Sequence, residues 1–157
     1  GRNFYQKQPK EAFPVCDFGY IDTANKTEVR GEGGKTGIFY LALGDAGLYK
    51  LCYDTKTEEI HVKRLTDTGD ACYRMGLGVI GEDRDYLTEE KAIYFCGRLE
   101  GEYGFYRTFD EGKSYERLNQ DNQMYGEINS IDGDKRKFGR FFLATGARGV
   151  LYGEMKR

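Results

Sequence analysis

Short apolar and aromatic runs separated by glycine recur along this chain, and they leave little room for anything but a β protein. The runs read GIFYLALG, GLYKLCY, IHVKRL, AIYFCGRL, GFYRTF, SYERLN, GRFFLATG and GVLYGE. Each is rich in Tyr, Phe, Val, Ile or Leu and stops at a Gly or a polar break, the pattern of strands joined by tight hairpins. Helical periodicity is nearly absent, and LTEEKA supports one short helical turn. The expected fold class is all-β.

The runs also repeat. Gly37-Ile-Phe-Tyr-Leu-Ala-Leu-Gly44 leads into Gly47-Leu-Tyr-Lys50, and Ala92-Ile-Tyr-Phe-Cys-Gly-Arg98 leads into Gly104-Phe-Tyr-Arg107. Each copy reads as an inner strand, a turn, and a second strand opening Gly-apolar-Tyr-basic. The copies lie roughly fifty to sixty residues apart, the scale of one four-stranded propeller blade. A weaker first copy begins at Arg2-Asn-Phe-Tyr5, and GRFFLATG with GVLYGE forms a final inner pair. The expected architecture is about three four-stranded antiparallel blades of a β-propeller, over roughly residues 1–35, 36–91 and 92–157. A β-sandwich is the alternative.

The stretch TFDEGKSY sits between two of these strands and carries the pattern Ser/Thr-x-Asp-x-Gly-x-Ser/Thr-aromatic. Thr108, Asp110, Gly112, Ser114 and Tyr115 fill it, and together they read as an Asp-box. In such a hairpin the carboxylate accepts hydrogen bonds from turn amides and a hydroxyl, the Gly takes positive φ, and the aromatic plugs the blade. Its role is structural, since Asp-boxes lie on the outer hairpin, away from the axial cleft. The earlier Tyr53-Asp-Thr-Lys-Thr-Glu-Glu59 keeps an Asp but loses the Gly, and reads as a degenerate copy.

Several function classes are excluded or set aside by composition. Of the 157 residues, Lys and Arg number 24 against 26 Asp and Glu, a net charge of -2. Nothing in that balance recruits nucleic acid or an anionic membrane, and no apolar run is long enough to span a bilayer. The N-terminal GRNFYQKQPK has no hydrophobic signal segment and the chain begins without Met, so a processed or excised piece is expected. The cysteines Cys16, Cys52, Cys72 and Cys96 are widely spread without a CxxC pair, which favours buried thiols over one or two disulfides and argues against zinc. His61, the only histidine, stands alone on an alternating strand, so neither a metal nor a cofactor is expected. No nucleophile motif supports a Ser-His-Asp triad, and TGARG lacks the lysine and spacing of a phosphate loop. Asn25-Lys-Thr27 matches a glycosylation sequon.

The second half of the chain resembles the C-terminal end of the family 74 glycoside hydrolases, the xyloglucanases and related endoglucanases. The resemblance rests on Asn119 to Gly126, on Gly133-Asp-Lys-Arg-Lys-Phe-Gly-Arg140, and on Thr145-Gly-Ala-Arg-Gly149 with Tyr152-Gly153. It is specific over residues 92–157; upstream, GLYK and DACYRMGLG follow the family more loosely but colinearly. It departs in having no Trp, the residue of many of the family's glucan platforms, which counts against sugar stacking by this segment. The resemblance implies two propellers facing across an open cleft and cleavage of a β-1,4-glucan backbone with inversion. That chemistry needs two carboxyl groups about 6.5–9.5 Å apart, one protonated and one ionised to activate water. It also implies that both lie in blades upstream of this segment.

The catalytic residues are therefore unknown from this chain. Asp121, Asp132, Asp134, Glu127 and Glu154 are candidates by type, each beside turn residues. Glycan binding is better supported: Tyr125, Arg140 and Arg148 fall in the family-like segments, and Tyr rings and Arg forks suit pyranose faces and hydroxyls. Lys135, Arg136 and Lys137 read as a solvated turn. The leading reading is a segment of a secreted hydrolase of xyloglucan or a related β-glucan, supplying structure and glycan contacts. Its expected partners are the polysaccharide and the remainder of its propeller, or a second copy, with GRNFYQ and GVLYGE as contact runs. The rivals are a non-catalytic glycan-binding β module and a segment of an Asp-box receptor or sialidase-like propeller.

Overall fold

A computed structural model describes residues 19–22, 27–31, 37–54, 56–86 and 90–155, with side chains from residue 37 onward. Cys16, Asn25 and the runs RNFY and GRNFYQ lie outside the described residues, as does the first half of LTEEKA, residues 87–89. Among the described residues there is no helix. The strands are β1 (Gly19–Asp22), β2 (Thr27–Gly31), β3 (Ile38–Leu43), β4 (Leu48–Asp54), β5 (Glu59–Arg64), β6 (Ala71–Gly78), β7 (Ala92–Leu99), β8 (Glu102–Thr108), β9 (Glu116–Arg117), β10 (Ile128–Gly133), β11 (Phe141–Thr145) and β12 (Val150–Gly153).

They form three antiparallel sheets in strict chain order, β1-β2-β3-β4-β5, β6-β7-β8-β9 and β10-β11-β12. Expected runs and observed strands coincide from β3 to β5, at β7 and β8, and at β11 and β12. The expected divisions do not. The sheets part within residues 65–70 and 118–127, so the breaks expected after 35 and 91 fall inside sheets, between β2 and β3 and between β6 and β7. The repeated runs thus do not open their sheets: β3 is the third strand of the first sheet, and β7 and β11 are the second strands of theirs. Each follows a strand that the apolar pattern passes over.

The reason is steric. β6 packs against β10 on one side and against β2 and β3 on the other. A methyl group on Gly76 would overlap the backbone of Ile131 and Asp132, and one on Gly133 would come within 2.7 Å of the Gly78 Cα. Glycine occupies positions where periodicity looks for a large apolar residue, because the converging backbones leave no room for one. β9 is likewise shorter than SYERLN, because Asn119 accepts the Phe105 amide on its side-chain oxygen at 2.8 Å, replacing a ladder bond.

Two apolar layers glue the three sheets. Ile38, Tyr40, Ala42 and Leu48 of the first sheet meet Met75, Leu77, Ile93, Phe95 and Tyr106 of the second. On the opposite face Ala92, Tyr94, Cys96 and Phe105 meet Ile128, Ile131 and Leu143 of the third sheet. β7 supplies both layers by alternation, Ile93 and Phe95 to one side, Tyr94 and Cys96 to the other. That explains the unbroken apolar run AIYFC: a strand covered on both faces has no polar phase. Cys72 and Cys96 are buried and Cys52 is half-buried.

Candidate functional site

The hairpin from β8 to β9 is closed by its own side chains. Asp110 Oδ1 accepts the Thr108 hydroxyl at 2.8 Å and the Ser114 amide at 2.9 Å, while Oδ2 accepts the Ser114 hydroxyl at 2.6 Å. The Gly112 amide donates to Thr108 Oγ1 at 2.9 Å, and Gly112 sits at φ 83°, beside Glu111 at 58°. Ser114's hydroxyl and amide, joined by the Thr108 hydroxyl, hold the Asp110 carboxyl down at about 2. The Asp54 hairpin keeps part of the device: Asp54 Oδ1 accepts the Lys56 amide at 2.7 Å, and Glu58 takes φ 57° without a glycine.

The hairpin reaches beyond its own sheet. The Tyr115 hydroxyl donates to the Leu65 carbonyl at 2.6 Å, and its ring stands edge-on to Phe95 at 5.7 Å. Glu111 pairs with Lys50 and, at 3.8 Å, with Lys63. Leu65, Lys50 and Lys63 all belong to the first sheet or its exit, so the aromatic and Glu111 latch the second sheet onto the first.

Tyr125, Arg140 and Arg148 do not meet in one place. Tyr125 lies in the β9–β10 connection with φ 53°, half-buried, its ring parallel to Phe105 at 6.3 Å and 8°. Arg148 is exposed in the β11–β12 turn, its amide donating to Thr145 Oγ1 at 2.8 Å. The Gly146 amide donates to the Glu127 carbonyl at 2.9 Å, so these two connections share one end of the sheets. Arg140 opens β11 at the other end. There its fork is held by Glu154 at 2.6 Å and Asp134 at 3.4 Å, and Lys137 joins Glu154 at 2.9 Å. The guanidinium braces the turn against the exit of β12.

The carboxylates are similarly engaged. Asp132 Oδ1 accepts the Leu77 amide at 3.0 Å and the Lys135 ammonium at 2.8 Å, tying the second sheet to the third. Lys135 also donates to the Leu77 carbonyl and lies 5.0 Å from the Tyr86 ring centroid, so the expected solvated turn is anchored at that residue. Asp121 pairs with Arg117 at 2.9 Å. Partial burial opposes ionisation of Asp134, but the Arg136 and Lys137 amides and Arg140 outweigh it and lower its carboxyl. Lys137 and then Arg140 lower Glu154. His61 is two-thirds exposed, 3.8 Å from Glu59. Among the described residues no three His, Cys, Asp or Glu side chains gather as a metal ion needs, and no helix is long and apolar enough to cross a membrane.

Two aromatic residues at the Tyr125 end escaped the sequence reading, Tyr73 and Tyr103. Their rings lie 6.4 Å apart, and Tyr103 contacts Phe105 edge-on at 6.4 Å, extending the stack that Tyr125 ends. Tyr73 is the extra residue of a β-bulge between Cys72 and Arg74. No turn or motif residue marks a bulge of that kind in the sequence.

Comparison with known proteins agrees with the C-terminal motifs and extends them upstream. No family model matches the chain. It is 29% identical over 163 aligned residues to xyloglucanase Xgh74A of Acetivibrio thermocellus, covering 98% of this chain and 18% of that protein. The oligoxyloglucan-reducing end-specific xyloglucanase of Emericella nidulans is 31% identical over 127 residues, 78% of this chain and 15% of its own length. Among solved structures, the GH74 xyloglucanase of Xanthomonas campestris superposes on 87% of this chain and 18% of its own with a TM-score of 0.67 at 27% identity. The GH74 enzyme of Niastella koreensis covers 76% of this chain at a TM-score of 0.58 and 25% identity. The three sheets are thus part of a β-propeller, and the chain spans about a fifth of the relatives it matches.

Proposed function

We propose that this chain, related to the family 74 xyloglucanases along nearly its whole length, is part of a secreted glycoside hydrolase acting on xyloglucan or a related β-1,4-glucan. The observation that carries the reading is the colinear match over 98% of the chain, with the same fold in solved family members. In this reading the segment supplies propeller sheets and glycan contacts, and the acid and base belong to other blades. Inversion needs one carboxyl kept protonated, which takes a raised pKa. Among the described residues, every carboxyl whose titration departs from the ordinary, Asp54, Asp110, Asp134 and Glu154, is moved the opposite way.

The glycan contacts fall to the end shared by Tyr125 and Arg148. A half-buried ring held flat by Phe105 presents a stiff edge, and the exposed guanidinium supplies donors for hydroxyls. Calorimetric titration of the 157-residue chain with xyloglucan oligosaccharides tests this. Binding that weakens in both Tyr125→Ala and Arg148→Ala is expected; no binding at all would remove the glycan role and leave a structural segment.

A further inference from the structure

We infer that Tyr73, Tyr103, Arg98 and Asp45 form a second sugar subsite, a step along the same end from Tyr125, which takes a neutral β-linked hexopyranose chain across the seam of the first two sheets. The inference rests on the glycan-binding reading above and adds residues that the sequence motifs do not mark.

The seam is built, not accidental. The β3–β4 turn reaches over to β6 through a two-way backbone bridge, the Gly44 amide to the Cys72 carbonyl and the Cys72 amide to the Gly44 carbonyl, each at 2.8 Å. That bridge brings Asp45 beside the bulge at Tyr73. A bulge rotates its extra residue out of the ladder and re-aims the side chain. Here the Tyr73 hydroxyl donates to Asp45 Oδ1 at 3.0 Å, fixing the ring. Arg98 approaches the same oxygen at 3.8 Å from the end of β7, and pairs across the ladder with Tyr103.

The chemistry points to an uncharged, hydroxyl-rich ligand. Arg98 and Asp45 neutralise each other, remain 43% and 77% exposed, and offer donors and acceptors together. Beside them Tyr103 is 36% exposed, its ring backed by buried Phe105 and flanked by Tyr73. A ring with its orientation already fixed loses little freedom when a C–H face of a pyranose settles on it. An anionic ligand would have to displace Asp45, and an apolar peptide would leave the ion pair desolvated without a partner. Tyr73, Tyr103 and Tyr125, the last two joined beneath the surface by buried Phe105, then lead from this seam to the Tyr125 end and give one chain of sugars rings at both subsites.

The test is titration of the whole chain with cello-oligosaccharides and xyloglucan oligosaccharides, with thermal unfolding of each variant alongside. Tyr103→Ala and Arg98→Ala are each expected to weaken binding about tenfold, with Tyr103→Phe close to the parent because the ring face is kept. Asp45→Ala frees Tyr73 and is expected to weaken binding with little change in melting. If Tyr125→Ala weakens binding while Tyr103→Ala and Arg98→Ala do not, this subsite is overturned and the glycan role stands. If the parent chain binds neither oligosaccharide, both fall. Equal loss in Tyr103→Ala and Tyr103→Phe would place the effect in the hydroxyl's packing and overturn the platform.

Discussion

Asp110 shows what one carboxylate does in a turn of this kind. Its three bonds to Thr108 and Ser114 replace solvent for a group that still meets water, so Asp110→Ala is expected to cost about 1 kcal/mol rather than the full worth of its shifted titration. Glycan binding is expected to stay unchanged, which paired melting and titration curves check. The pH dependence has a definite sign. The folded carboxyl lies at about 2 against an ordinary 3.8, so its contribution is complete above about pH 4 and is lost as pH falls through 2. Acid unfolding of the parent and Asp110→Asn should therefore differ above that window and converge below it. The residues of this turn were legible in the sequence because each local bond needs a particular side chain at a fixed offset. Arg140 was not: nothing in GDKRKFGR tells that the fork will find Glu154, fourteen residues on, across β11 and β12.

At the scale of elements, the sequence shows best the strands whose side chains are large. β7 and β8 could be read off directly, since burial on both faces demands large apolar or aromatic residues over Ile93–Cys96 and at Phe105 and Tyr106. β6 and β10 could not, because close backbone approach selects glycine there, and glycine reads as a break. The displacement of the second break, from after 91 to residues 65–70, follows from that blindness at β6. It also makes a prediction: Gly76→Ala inserts a methyl into the Ile131–Asp132 backbone and is expected to lower stability by about 2–3 kcal/mol, read from the denaturant midpoint. The neighbouring Gly69→Ala meets nothing within 4 Å, but its φ of 97° costs backbone strain alone, so its loss should be the smaller of the two. Similar losses at both sites would mean that β6 and β10 are not packed as described.

At the scale of the whole molecule, the three sheets stack face to face but end in uncovered surfaces. On the third sheet Phe142 and Tyr152 pair across the ladder with Val150 beside them, 38%, 69% and 70% exposed. At the other end Ile60 and Val62 of β5 are about as exposed, at 60% and 61%. Apolar faces and unpaired strand edges of this kind favour association. Light scattering should find the isolated chain self-associated, and Val150→Lys with Tyr152→Lys should shift it toward monomer; a compact monomer without those changes would favour a self-contained sandwich-like module. The family relation itself was legible from GDKRKFGR and TGARG, motifs in turns whose amides and charges fix their sequence. The function proposed for these sheets is to serve a glucan-cleaving enzyme without holding its acid and base. Reducing-end release from xyloglucan, followed over time with the purified 157-residue chain, tests it most directly. No release above the buffer control is the expected result, and steady release that Asp134→Asn or Glu154→Gln abolishes would contradict it.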